Sequence, residues 1–120
     1  MRIIIDLDGT ICEIKKKNQT YSDVKLKEGA KDFIDNLKKD GHYIIIHTAR
    51  NMRTCNSNIG KVNKNIGLIT LQWLKTNEIQ FDEIYFGKPN GDIYIDDRSI
   101  RFNTWNELSK INLKSIAKDR

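Results

Sequence analysis

The chain has 120 residues, of which 38% are hydrophobic and 31% charged, with one proline and seven glycines. This length suits one domain, and the balance of apolar and charged residues argues against a disordered, collagen-like or coiled-coil chain. The formal net charge of +5 fits a nucleic acid, an anionic membrane surface or a small anionic substrate, and composition does not choose among these partners.

The sequence offers no candidate membrane span or secretion signal. The longest aliphatic runs, Ile3–Ile5 and Ile44–Ile46, are far shorter than the roughly 20 apolar residues of a membrane helix. Cys12 and Cys55 lack the CxxC spacing of a zinc site, and two cysteines do not make a disulfide framework. We therefore predict a cytoplasmic protein with reduced thiols and no membrane partner.

Four runs without strict polar alternation predict the strands of a parallel sheet covered on both faces: Ile3–Leu7, Tyr43–His47, Ile84–Phe86 and Ile93–Ile95. Apolar residues at helical spacing predict one helix over about residues 28–40 and another that ends near Asn77. Thr104 and Glu107 have the spacing of a capping box, which predicts a further helix that packs back on the domain. Strands alternating with helices indicate a Rossmann-like α/β fold with right-handed crossovers.

We predict a single domain over residues 1–120, with a core of residues 1–102 and a helical tail of residues 103–120. Two polar loops, residues 11–27 and 49–65, each follow a predicted strand. In proteins with an open parallel sheet, ligands bind beyond the carboxyl ends of the strands. We therefore expect functional residues on these two loops.

Charged and polar residues gather at the same predicted edge. Asp6 and Asp8 end the first strand on one side of the extended backbone, Thr48 ends the second, Lys88 follows the third and Asp96-Asp97 end the fourth. Several carboxylates around one point need a cation, and oxygen ligands with a substrate phosphate suit Mg²⁺.

These residues resemble a known family. The stretch Asp6-Leu7-Asp8-Gly9-Thr10, then Thr48, Lys88 and Asp96-Asp97, is similar in order to the four motifs of the haloacid dehalogenase-like superfamily, over residues 2–98. Residues 47–54, 58–61 and 94–98 also look like a small group of capsule or polysaccharide biosynthesis phosphatases.

The resemblance implies a role for each motif residue. Asp6 would attack phosphorus and form an aspartyl-phosphate, while Asp8 would protonate the leaving alcohol and then deprotonate the hydrolytic water. Thr48 and Lys88 would bind the transferring phosphoryl oxygens. The implied Mg²⁺ ligands are Asp6, the main-chain carbonyl of Asp8, and Asp96, with Asp97 ligating directly or through water.

No full cap domain fits between the motifs, because only 88 − 48 = 40 residues separate the second from the third. Specificity is therefore expected from loops 11–27 and 49–65, or from a neighbouring subunit of a homo-oligomer. We predict substrate contacts from Arg50, Asn51 and Arg98, since arginine suits anion recognition.

The substrate predicted is a small phosphorylated metabolite: a sugar, polyol or amino-alcohol phosphate of surface-polysaccharide synthesis. Two alternatives stay open, a phosphatase of nucleotides or nucleic-acid ends and a binding module without turnover. Nucleic acid is disfavoured because the two loops contain only Tyr21 as a surface on which a base can stack.

Overall fold

A computed structural model describes residues 1–117, so the last three residues of the predicted tail 103–120 lie outside the described residues. The strands are β1 (Arg2–Asp6), β2 (Tyr43–Thr48) and β3 (Glu83–Phe86). The helices are α1 (Ala30–Lys39), α2 (Ile59–Val62), α3 (Leu68–Thr76), α4 (Trp105–Leu108) and α5 (Leu113–Ile116), and a π-helical turn over Asn63–Gly67 joins α2 to α3.

The three strands form one parallel sheet in the order β1-β2-β3. Ile4 pairs with Ile45, and Ile46 pairs with Ile84, so β-branched residues fill the centre of the sheet. Helix α1 connects β1 to β2, and the α2–α3 segment connects β2 to β3. The predicted α/β fold with a parallel sheet and flanking helices is confirmed.

The helices cover only one face of this sheet. Ile5, Ile44 and Ile46 pack in one buried core with residues of α1 and α3, whereas Ile4 and Tyr85 on the opposite face are 64% and 50% exposed. Both crossovers step in the same direction, and right-handed connections then place both helices on the same side. The expectation of a sheet covered on both faces is therefore wrong at the outer strands, although Ile45 of the central strand is only 3% exposed on this second face.

The predicted fourth strand is not formed. Residues 93–95 run in an irregular conformation, with Ile93 79% and Ile95 97% exposed. Only residues 87–92 separate β3 from this run, whereas a crossover between parallel strands takes about a dozen residues or more. The connection is too short for this run to join the sheet of its own chain as a parallel strand.

The C-terminal helices pack back on the domain, as predicted. The Thr104 hydroxyl accepts a hydrogen bond from the Glu107 N–H at 3.1 Å and caps α4. Trp105 is buried against Phe33, with ring centroids 5.0 Å apart, and its indole N–H donates to the Thr10 carbonyl at 2.8 Å. Within residues 1–117, no helix has the length and apolar character needed to cross a membrane.

Candidate active site

A tight turn after β1 presents two aspartates. The Leu7 carbonyl accepts hydrogen bonds from the N–H groups of Ile11 and Cys12 at 2.9 and 3.1 Å, which turns the chain back on itself. Gly9 has a φ of +85°, a conformation that strains any residue with a Cβ. The turn holds Asp6 and Asp8 in fixed positions beyond the carboxyl end of the strand.

Asp6 pairs with a cation that follows β3, at the same edge of the sheet. Its Oδ1 lies 3.2 Å from the Lys88 Nζ, and its Oδ2 accepts a hydrogen bond from the Thr10 hydroxyl at 3.2 Å. Lys88 is positioned because its main-chain N–H donates to the Thr48 carbonyl at 3.0 Å. The Asp6 side chain keeps 35% exposure, which leaves it accessible to a substrate.

Asp8 is held by a buried arginine. The Arg50 Nη2 and Nε donate to the two carboxylate oxygens of Asp8 at 2.7 and 3.1 Å, and the Arg50 side chain is fully buried. Its Nη1 donates to the Thr70 hydroxyl at 3.0 Å, and its guanidinium stacks 3.9 Å from the Tyr21 ring centroid. These contacts show that Arg50 orients Asp8, and because Arg50 also lines the cavity over the aspartates, its predicted contact with substrate stays a prediction.

Two neighbours of this pair are kept neutral. Burial, followed by the nearby Asp8 charge, raises the pKa of Cys12 to about 12. Burial also raises the pKa of Tyr21, again with a contribution from Asp8. The Cys12 thiol is therefore protonated near pH 7 and is not a nucleophile.

Two further side chains lie at the carboxyl end of β2. Thr48 is buried, and its hydroxyl accepts the Arg50 main-chain N–H at 3.0 Å, so it shapes the loop that carries Arg50. His47 pairs with Asp6 across the sheet. Burial, followed by the Lys88 charge, lowers the pKa of His47. The imidazole is therefore neutral near pH 7.

A cavity of about 500 Å³ opens over the two aspartates. Loop 11–27 contributes Lys15 and Tyr21, and loop 49–65 contributes Asn51 and Arg53. Lys88 and Tyr94 complete the opposite side, with the Lys88 Nζ 4.4 Å from the Tyr94 ring centroid. Both loops thus border the site, and Asn51, a predicted substrate contact, lines the cavity.

Asp96 and Asp97 do not complete a metal site with Asp6 and Asp8 in the described part of the chain. Among the described residues, no three acidic, histidine or cysteine side chains come together as a metal site. Asp96 is exposed, and its Oδ1 accepts the Arg98 main-chain N–H at 2.8 Å. Arg98 is exposed too and is not among the residues that line the cavity. Asp96 and Arg98 are exposed because residues 93–95, which precede them, do not join the sheet as a strand.

The role of Arg50 was missed from the sequence. The available signal was its position two residues after Thr48, on a loop that leaves the same sheet edge as Asp8. Its partners Tyr21 and Thr70 are distant along the chain and have no recognisable spacing, so only the folded structure joins them.

Comparison with known proteins identifies the family of this chain. Residues 3–115 match the family of haloacid dehalogenase-like hydrolases. The chain is similar to the crystal structure of a structural-genomics target from Vibrio cholerae, with 34% identity, a TM-score of 0.83 and coverage of 96% of this chain and 92% of that one. No curated protein matches the sequence. With nearly its whole length matched, and with its paired aspartates and lysine at one sheet edge, this chain belongs to the haloacid dehalogenase-like hydrolases.

Proposed function

We propose that this protein is a Mg²⁺-dependent phosphatase that hydrolyses a small phosphomonoester through an aspartyl-phosphate. One observation carries the proposal: the Asp6 carboxylate faces a cavity, 3.2 Å from the Lys88 ammonium, with Asp8 two residues away. A carboxylate nucleophile, an acid–base partner and a cation for the phosphoryl oxygens are the groups that covalent phosphoryl transfer requires.

The reaction divides into two displacements at phosphorus. An Asp6 oxygen forms a bond to phosphorus while the bond to the leaving oxygen breaks, and Asp8 gives that oxygen a proton. Water then attacks the aspartyl-phosphate, Asp8 takes the proton of the water, and inorganic phosphate leaves Asp6 free. Thr10 and Lys88 hold the nucleophile, and Arg50 holds the acid–base group in one orientation.

The residues at this edge fit Mg²⁺ in part. The partly exposed Asp6 carboxylate and the main-chain carbonyl of Asp8 would supply oxygen ligands, and Mg²⁺ is commonly held by one or two carboxylates with water and substrate phosphate. When bound, the ion supplies positive charge that offsets the phosphoryl oxygens. Within residues 1–117 of one chain, the proposed ligands Asp96 and Asp97 do not join Asp6 and Asp8 in a group of three or more that could hold the ion.

The cavity favours a small substrate. Its volume of about 500 Å³ lies within the range of sites for small molecules, and the cationic Lys15 and Arg53 border it. Tyr21 at the cavity already stacks on Arg50, which leaves less ring surface for a base. We therefore favour a sugar, polyol or amino-alcohol phosphate, and the likeness of residues 47–54 and 94–98 to capsule phosphatases supports a role in polysaccharide precursor synthesis.

The first experiment compares wild type with Asp6→Asn on nitrophenyl phosphate, with Mg²⁺ and with EDTA. We expect turnover with Mg²⁺ alone, and none from Asp6→Asn, because an amide cannot form the acyl-phosphate. The matched control is Asp40→Asn, at an exposed position after α1, which should keep full activity. Turnover by Asp6→Asn above a few per cent of wild type, or full activity without metal, contradicts the proposal.

A panel of phosphate esters then tests the substrate class. It contains sugar, polyol and amino-alcohol phosphates together with nucleotides and a 5′-phosphorylated oligonucleotide. We expect the highest kcat/KM among the small esters. Faster release from the oligonucleotide than from every small ester would favour the nucleic-acid alternative.

A further inference from the structure

The sheet has an open edge at β1. Within the described residues, β1 pairs with β2 on one side and with no strand on the other. Ile4, at the middle of β1, is 64% exposed. An edge strand of this kind offers a row of main-chain N–H and C=O groups to another strand.

The same chain carries a segment that suits this edge. Ile93, Tyr94 and Ile95 are 79%, 52% and 97% exposed, although residues of these types favour strands. The sequence of residues 93–96, Ile-Tyr-Ile-Asp, repeats the pattern of residues 3–6, Ile-Ile-Ile-Asp. An exposed apolar strand-forming segment and an exposed strand edge therefore occur in one molecule.

A chain cannot add this segment to its own β1 in parallel. Phe86 pairs with Thr48, and Asp6 with His47, so Phe86 is level with the residue after Asp6. A parallel strand with Asp92 beside Arg2 would begin about 14 Å sideways and about 16 Å back along the strands, about 21 Å in a straight line. The six steps from Phe86 to Asp92 span about 21 Å at most, and that line passes through β2 and β1.

Antiparallel addition does not solve the problem. It would leave Asp96 beside the amino end of β1, at the opposite edge from Asp6. Only a segment from another chain can run parallel to β1 and bring its acidic end to the edge where Asp6 lies.

We propose that residues 92–97 of a second copy form the missing strand beside β1, with the exchange reciprocal in a symmetric dimer. In the register that places Ile93 beside Ile3, Asp96 stands beside Asp6 on the same face, because side chains alternate along both strands. The proposal rests on the proposed function in one respect: the partner's acidic pair then completes the Mg²⁺ site. The dimer is thus the active form.

The exchange also changes the cavity. In the single chain, Tyr94 lies over the Lys88 ammonium and lines the cavity. Moving residues 92–97 to the second copy takes Tyr94 off its own chain's Lys88, which frees that charge for a phosphate. A lone copy is therefore expected to bind substrate poorly as well as lack the acidic pair.

Cross-linking tests the exchange independently of activity. Ile4→Cys chains are mixed with Tyr94→Cys chains, refolded together and oxidised, and linked peptides are identified by mass spectrometry. We expect a disulfide between residues 4 and 94 of different chains, since the native Cys12 and Cys55 are buried. The matched control replaces Ile4→Cys by Tyr85→Cys, on the same face but at the far strand, which should give no link to residue 94.

Two outcomes overturn the proposal. One is the absence of a 4–94 link in the mixture. The other is a link within one chain, at monomer mass, in the Ile4→Cys/Tyr94→Cys double variant, which would show addition to the chain's own edge. Because this readout needs no turnover, it decides the exchange even if the protein hydrolyses no phosphate ester.

Complementation tests whether the site is shared. Asp6→Asn chains and Asp96→Asn/Asp97→Asn chains should each be inactive alone. Refolded together, half of the dimers are mixed and each has one intact site, so activity should reach about a quarter of wild type. If wild type is active and the mixture stays inactive, the partner does not supply the acidic pair. If wild type is itself inactive, the proposed function fails, and cross-linking alone decides the exchange.

Discussion

Isoleucine side chains have opposite environments in two regions of this molecule. In residues 1–86, Ile44 and Ile46 are fully buried between neighbouring strands and helices. In residues 87–102, Ile95 is 97% exposed in a segment without regular structure. The difference lies in the connections: β1 and β2 are joined by a long crossover with α1, whereas five residues separate β3 from Asp92. Strand-forming residues become a strand only where the chain can deliver them to a partner.

The largest effect is expected from Asp8→Asn, which removes the proposed proton donor from the ordered region, residues 1–86. Loss of the proton donor should lower kcat for alkyl phosphates by about 10²–10⁴-fold. Nitrophenolate leaves without a proton, so the loss with nitrophenyl phosphate should be much smaller. Steady-state kinetics on both substrate types measure this, and equal losses would remove the acid–base role from Asp8.

Arg50→Ala tests whether Arg50 holds the Asp8 carboxylate in place. The substitution leaves the partly buried Asp8 carboxylate without its partner, so the free energy of unfolding should fall by about 3 kcal/mol. Arg53→Ala, an exposed arginine on the same loop, should change it by less than about 0.5 kcal/mol. Urea unfolding measures both. If the two substitutions cost the same, Arg50 is not a buried support.

A matched pair of isoleucine substitutions compares the two regions directly. Ile46→Ala empties part of the core and should cost about 2–5 kcal/mol, whereas Ile95→Ala should cost less than about 0.5 kcal/mol in dilute protein. At high protein concentration Ile95→Ala should also weaken self-association in sedimentation experiments. A cost at Ile95 equal to that at Ile46 in dilute protein would contradict the contrast.

The smallest effect is expected at the Asp82 carboxylate, which binds Lys38 of α1 and the main-chain N–H of Ile44 in β2. The Lys38 ammonium at 2.7 Å, followed by the Ile44 N–H, holds the pKa of Asp82 below its usual range. Its contribution to stability is complete above the unfolded-state pKa of about 3.9 and is lost as the pH falls through the lower folded pKa. Asp82→Asn should therefore flatten the fall in urea midpoint between neutral and acid pH. An unchanged acid profile would mean that Asp82 contributes nothing through its charge.

The sequence by itself determined most of the elements in residues 1–86 and which charged residues meet at the edge of their sheet. The aliphatic runs of β1 and β2 and the helical spacing of α1 are local patterns, and they predict their elements because burial of such residues dominates folding. Asp6, Asp8 and Lys88 were predictable as neighbours, since each directly follows a strand of one parallel sheet.

The tertiary structure decided what depends on distant contacts and chain reach. Arg50 binds Asp8 because Thr70 and Tyr21 fold around its guanidinium, and no local spacing encodes that meeting. One face of the sheet stays exposed at Ile4 and Tyr85 because both crossovers turn to the other side. Residues 93–95 have the composition of a strand, yet the short connection from β3 prevents them from pairing with their own sheet. Strand propensity describes single residues and contains no information about the length of a connection.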